Sequence, residues 1–88
     1  MTAVIRLASD RLEWREIDGE IVALDIEASK YLAGNRTAGA LWPRLAAGAT
    51  RDELLDALLV RFDVDAETAS RDLDAFLRSL EERGLIER

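Results

Sequence analysis

Histidine and cysteine are both absent from this 88-residue chain. Their absence excludes imidazole and thiolate metal sites, disulfide frameworks, and every Ser-His or Cys-His nucleophilic pair. The side chains left with chemical capacity are eighteen carboxylates and twelve lysines and arginines. Two carboxylates do acid–base work when their surroundings hold one protonated beside an ionised partner. Here the acids lie scattered along stretches of helical period, interleaved with arginines. Glu67 with Arg71, and Asp74 with Arg78, stand four apart as solvent-facing ion pairs of a helix. No glycine-rich phosphate loop accompanies them. Such acids are solvating charges and helix caps, so no catalytic residue, metal ligand or cofactor is assigned, and the chain is expected not to be an enzyme.

The same charges constrain partners. A formal charge of −6 gives an average field that repels phosphate backbones and anionic lipid and more easily attracts a partner of basic character. Neither nucleic acid nor a membrane surface is therefore an expected ligand. Residues 1–10 carry no signal layout, and no window reaches the roughly 18 apolar residues of a membrane span, so a cytoplasmic protein is expected. The length suits a single domain over 1–88 with one core, in which only residues 1–10 look loose.

The elements follow from periodicity and turn chemistry. Leu12 to Ile17 alternates as a strand, with Leu12 and Trp14 on one face and Glu13 and Arg15 on the other. Asp18-Gly19 tolerates the positive φ angles of a tight hairpin loop, and Glu20 to Ile26 is the returning strand, with Val22, Leu24 and Ile26 pointing one way. A turn at Glu27-Ala28-Ser29 leads to a third strand, Lys30 to Gly34, where Tyr31 and Ala33 face opposite to Leu32.

Asn35 is placed to cap a first helix whose stripe is Ala38, Leu41, Trp42 and Leu45. Pro43 predicts a kink or a short helix there, because inside a helix it costs about 3 kcal/mol. Gly48 closes that element. Thr50-Arg51-Asp52-Glu53 is a capping box for a second helix with the apolar face Leu54, Leu55, Leu58 and Phe62. Asp65 opens a third, turning Ala69, Leu73, Phe76, Leu77 and Leu80 inward. Gly84 stops it, and Leu85-Ile86 folds back onto the core. The fold class is α+β: a three-stranded antiparallel sheet packed on three helices, similar to a winged helix.

Two functions suit that shape. A winged helix places its last helix in the DNA major groove, but the exposed positions of this one mix Glu67, Asp74, Glu81 and Glu82 with Arg71, Arg78 and Arg83 and make no basic face. The other is strand addition. In hairpin order Lys30 to Gly34 lies at a sheet edge without proline, able to pair with a guest peptide through its backbone. Such an edge is also an ordinary feature of small sheets, with Lys30 as its guard.

One resemblance bears on that choice. It is carried by Ile21-Val22-Ala23-Leu24-Asp25, Lys30-Tyr31-Leu32, Asn35 with Thr37-Ala38-Gly39-Ala40-Leu41-Trp42, Gly48-Ala49-Thr50, and Asp72-Leu73 with Phe76-Leu77, Leu80 and Gly84-Leu85-Ile86. With these residues, nearly the whole chain from Leu12 onward resembles the PqqD-like family. Its members are non-catalytic recognition elements for the precursors of ribosomally made, post-translationally modified peptides. The resemblance implies that a leader peptide adds as a strand beside Lys30–Gly34 and lies against the third helix. By position, the peptide-binding residues would be Lys30, Tyr31, Leu32 and Ala33 on one wall and Ala69, Asp72, Leu73 and Phe76 on the other. Leu73 and Phe76 also read as core, and Asp72 as a surface charge. Stand-alone members of this size resemble those of lasso-peptide pathways, which hand the precursor to a leader peptidase and a macrocycle-forming cyclase. Others serve radical SAM enzymes, and the residues leave both partners open. A structural subunit of a larger enzyme is the remaining alternative. Either a monomer or a weak dimer formed by exchange of the N-terminal hairpin fits.

Overall fold

The structure is a computed structural model that describes residues 3–8, 10–34 and 36–87. The proposed cap Asn35 lies outside the described residues. Strand β1 (Val4–Leu7) comes first, followed by β2 (Leu12–Ile17), β3 (Glu20–Asp25) and β4 (Lys30–Gly34). Next come helix α1 (Arg36–Ala47), β5 (Ala49–Thr50), α2 (Arg51–Arg61), α3 (Ala66–Glu82) and β6 (Ile86–Glu87).

Strands β2, β3 and β4 form one antiparallel sheet in that order. Asp18 and Gly19 both have positive φ, 53° and 81°, as a type I′ loop requires, and the loop pairs Ile17 with Glu20. That register turns Ile21 and Ala23 into the core and leaves Val22 exposed. Asp25 Oδ1 accepts the Ala28 N–H at 3.2 Å, which shapes the turn into β4.

Val4–Leu7, within the stretch expected to be loose, form a strand. Ile5 and Leu7 alternate with exposed Val4 and Arg6, and β1 lies between β5 and β6 in a second antiparallel sheet. The reason is burial: Ile5, Leu7, Ala49 and Ile86 all join the core, and each of the three larger side chains so covered contributes roughly 1.5–3 kcal/mol. The second sheet ties both ends of the chain to the start of α2.

Helix α1 runs for twelve residues with Pro43 inside it. Leu41, Trp42 and Leu45 are almost completely buried, and their burial outweighs the roughly 3 kcal/mol that an internal proline costs. Gly39 is required by a close approach, since a Cβ there would collide with the Gly19 carbonyl of the β2–β3 loop.

Helix α2 opens with the full capping box. Glu53 N–H donates to Thr50 Oγ1 at 3.2 Å and Thr50 N–H to Glu53 Oε1 at 2.9 Å. The bond from the Thr50 backbone holds the Glu53 carboxyl below its ordinary range. Asp65 caps α3 by accepting the Thr68 N–H at 2.7 Å, which lowers its pKa in the same way. Arg51 joins the two helices, with Nε 2.9 Å from Asp74 and Nη2 2.7 Å from Ser70 Oγ. Asp74 thus reaches across to α2, while Glu67 and Arg71 pair along α3 at 3.8 Å. At its far end α3 stops in a Schellman motif, with Gly84 N–H donating to the Glu81 carbonyl and Leu85 N–H to the Leu80 carbonyl. Gly84 takes a positive φ of 69°, and Leu85 turns back into the core with no exposure.

Candidate peptide-binding groove

Backbone direction along the β2–β3–β4 sheet follows from the loop. A two-residue I′ turn makes Ile17 and Glu20 a hydrogen-bonded pair, and antiparallel pairs alternate between hydrogen-bonded and open. Glu20, Val22 and Leu24 therefore aim their N–H and C=O groups at β2, and Ile21, Ala23 and Asp25 aim theirs at β4. Their partners there are Gly34, Leu32 and Lys30. The backbone groups of Tyr31 and Ala33 consequently point away from the sheet. Among the described residues strand β4 has β3 as its one neighbour, so there these groups form a free ladder.

Alongside that ladder lies a groove of about 430 Å³. One wall is Tyr31, Leu32 and Gly34 of β4, and the other is Phe76, Ser79 and Leu80 of α3 with its C-cap Arg83. The floor is Ile21, Ala38 and Trp42. Trp42 meets Phe76 edge to face, ring centroids 6.4 Å apart, so the aromatic lining is braced by the kind of contact such pairs prefer. The Trp42 indole N–H is buried without a hydrogen-bond acceptor among the described residues. Most of the lining residues are aliphatic or aromatic, with Ser79 and Arg83 as polar groups at the α3 side.

The structure brings together part of the residue set expected from the sequence. Tyr31, Leu32 and Phe76 face one groove. Lys30 and Ala33 are on the same strand, Lys30 exposed at its start and Ala33 supplying outward backbone. Ala69 and Leu73 are core residues, 1% and 0% exposed, because the N-terminal half of α3 is covered by α2 and held to it through Arg51. Asp72 is exposed but does not line the groove. The α3 wall instead starts at Phe76 and continues C-terminally. Ser79, Leu80 and Arg83, absent from the expected set, follow Phe76 at spacings of three, four and seven, the signature of one helix face. That spacing was a signal present in the sequence.

A larger hollow, about 590 Å³, lies on the other side of the molecule between α1, α2 and the tip of β2. Its lining includes Glu16, Arg44, Glu53, Asp56 and Arg61. These charges interrupt its apolar part, made by Ala40, Pro43, Ala47, Ala57 and Val60, and Glu16 is its one β2 residue, so the hollow does not run along a strand. Among the described residues there is no cluster of acidic side chains fit to hold a metal ion, and no helix is long and apolar enough to cross a membrane.

Addition of a strand to an exposed sheet edge, with pockets beside it for alternate side chains, is a general mode of peptide recognition. The chain belongs to the PqqD family: the family model described as coenzyme PQQ synthesis protein D matches residues 20–86. No curated protein matches it by sequence. Two solved structures are similar throughout. TbiB1 in complex with the TbiA(beta) leader peptide superposes with a TM-score of 0.84 at 30% identity, covering 93% of this chain and 94% of that one. Lasso peptide synthetase B1 complexed with the leader peptide superposes at 0.81 with 28% identity, covering 98% of this chain and 100% of the other.

Proposed function

We propose that this protein binds the leader segment of a ribosomally made precursor peptide by strand addition to β4, and that it acts without catalysis. One observation carries the reading: β4, whose Tyr31 and Ala33 turn their backbone groups away from β3, forms one wall of the groove against α3 through Tyr31, Leu32 and Gly34. It is supported by two similar structures that are themselves leader-peptide complexes. Main-chain pairing would supply affinity that depends little on the guest's side chains. Alternate guest side chains would enter the apolar groove between Leu32 and Phe76 and supply selectivity. Held in this way, the precursor gains effective concentration at whichever enzyme engages the complex. The likeness to lasso peptide synthetase B1 favours a leader peptidase and a macrocycle-forming cyclase as those partners over a radical SAM enzyme. The mixed charge along exposed α3 speaks against duplex DNA.

The test is fluorescence polarisation of a labelled leader, taken from the precursor encoded beside this chain and titrated with the whole protein. Saturable binding, competed by unlabelled leader and not by duplex DNA, is the expected result. Polarisation that stays flat with every neighbouring precursor would remove the reading.

A further inference from the structure

Arg11 stands between β1 and β2, outside the segment that the PqqD family model matches and outside the groove lining. Its guanidinium nevertheless joins the roots of both groove walls. Nη1 donates to the Gly84 carbonyl at 3.2 Å, one residue past Arg83 of the α3 wall. Nη2 lies 3.8 Å from Asp25 Oδ1, and Nε 3.3 Å from Glu27 Oε2, the latter held by charge and not by an aligned hydrogen bond. Asp25 ends β3 and shapes the turn into β4, and Glu27 belongs to that turn. Asp25 is the one charged residue buried among the described residues, at 6% exposure. The Arg11 main chain is anchored as well, its carbonyl accepting Ile26 N–H at 2.8 Å and its N–H donating to the Ala8 carbonyl at 3.0 Å.

The space around Gly84 shows how closely the parts fit. A Cβ at that position would come within 2.7 Å of Arg11 Nη1, so glycine serves both the left-handed turn and the approach of the guanidinium. A strand must sit about 4.8 Å from its neighbour to pair with it, and the opposite wall must then lie at a fixed distance to touch its side chains. From these contacts we infer that Arg11 is a positioning residue for the peptide groove: it bridges the end of α3 to the β3–β4 turn and sets the separation of the walls without touching the guest. A guanidinium suits this task because its planar fork reaches several acceptors at once, whereas a lysine ammonium is a single point of charge. The inference rests on the peptide-binding reading above.

The test compares Arg11→Met and Arg11→Lys with Arg51→Met, which removes a comparable bridge between α2 and α3 away from the groove. With the leader that binds wild type, Arg11→Met is expected to raise Kd about tenfold and Arg11→Lys about threefold, mostly through faster dissociation. Arg51→Met should lower Tm to a similar extent yet leave Kd within about twofold. A second readout needs no peptide. The chain has no cysteine, so spin labels at cysteines placed at Ala28 and Glu82 report the distance between the walls. Their distance distribution should be narrow in wild type and broad in Arg11→Met. Wild-type binding with Kd unchanged in both Arg11 variants overturns this inference and leaves the function standing. If wild type binds no leader, the function falls, and equal distance distributions in wild type and Arg11→Met then overturn the clamp on its own terms.

Discussion

The hairpin sheet has two edges, and they are not alike. On β2 the register turns the backbones of Leu12, Trp14 and Glu16 outward, and on β4 it turns out those of Tyr31 and Ala33. Among the described residues both edges offer unpaired donors and acceptors. Beside β4, however, the neighbouring wall carries Phe76 and Leu80 over a floor of Ile21 and Trp42. Beside the tip of β2, the hollow sets Arg44, Glu53, Asp56 and Arg61 among the small apolar side chains Ala40, Pro43, Ala47 and Val60. A guest strand gains hydrogen bonds at either edge, but beside β4 its side chains meet large aromatic and aliphatic groups, whereas beside β2 they meet small apolar groups interrupted by charges that lose water on burial. In water the hydrogen bonds are the smaller net contribution, about 1 kcal/mol each. Receptivity is therefore a property of what adjoins an edge. The terminal sheet makes the complementary point: β5 and β6 are two residues long, and they close the chain ends without offering a ladder of useful length.

This contrast can be broken or sharpened by substitution. The largest effect is expected from Leu73→Ala, which empties a fully buried position of α3 and should cost roughly 2–5 kcal/mol in chemical denaturation. Leader affinity per folded molecule should be retained, because Leu73 lies on the covered half of the helix. A Kd that rises in step with the stability loss would move the groove back toward that half. Next, Ala33→Pro and Trp14→Pro each delete one outward N–H without removing a ladder bond. The first should weaken leader binding about thirtyfold, near 2 kcal/mol, and the second should leave it within about twofold. Equal losses from both in a polarisation titration would erase the distinction between the edges.

Two smaller effects concern the frame alone. Thr50→Ala removes the cap of α2 and should lower stability by about 1 kcal/mol with no change in leader Kd. Acid should act through Glu53 and Asp65, whose carboxyls are held below their ordinary range by the N–H groups they accept. Their folded-state pKa values lie below the unfolded ones, so the stability they contribute is present above the ordinary carboxylate range and is lost as pH falls through the depressed values. Tm should be level from pH 7 to about 5 and decline below about pH 4. Asp65→Asn, which keeps a capping oxygen and cannot ionise, should flatten that decline in a thermal melt series.

Much of the frame was legible because its signals are local. Asp18-Gly19 specifies its turn through two positive φ angles, Thr50 and Glu53 cap one another across three residues, and Gly84 ends α3 by a conformation that other residues avoid. The β1 strand was legible in principle, since Ile5 and Leu7 alternate with Val4 and Arg6. It was missed because its partners are two-residue strands some forty and eighty positions away, too short to register as periodicity. The proline was read from its intrinsic cost alone, and the helix is nonetheless continuous because Leu41, Trp42 and Leu45 are buried beside it.

By itself the amino-acid order determined the strand–turn–strand succession, the helix caps, the inward stripe of α3 and the absence of metal-binding or nucleophilic chemistry built on histidine or cysteine. Each of these depends on residues within a few positions of one another, or on residue types alone. Tertiary structure alone decided which part of the α3 stripe lies under α2 and that Phe76, Ser79, Leu80 and Arg83 line the groove beside β4. It also brought Arg11 to Gly84, residues separated by 73 positions. A helical stripe marks which side chains lie on one face, but whether that face meets core or opening depends on where other elements come to rest, and that is settled by packing over the whole chain.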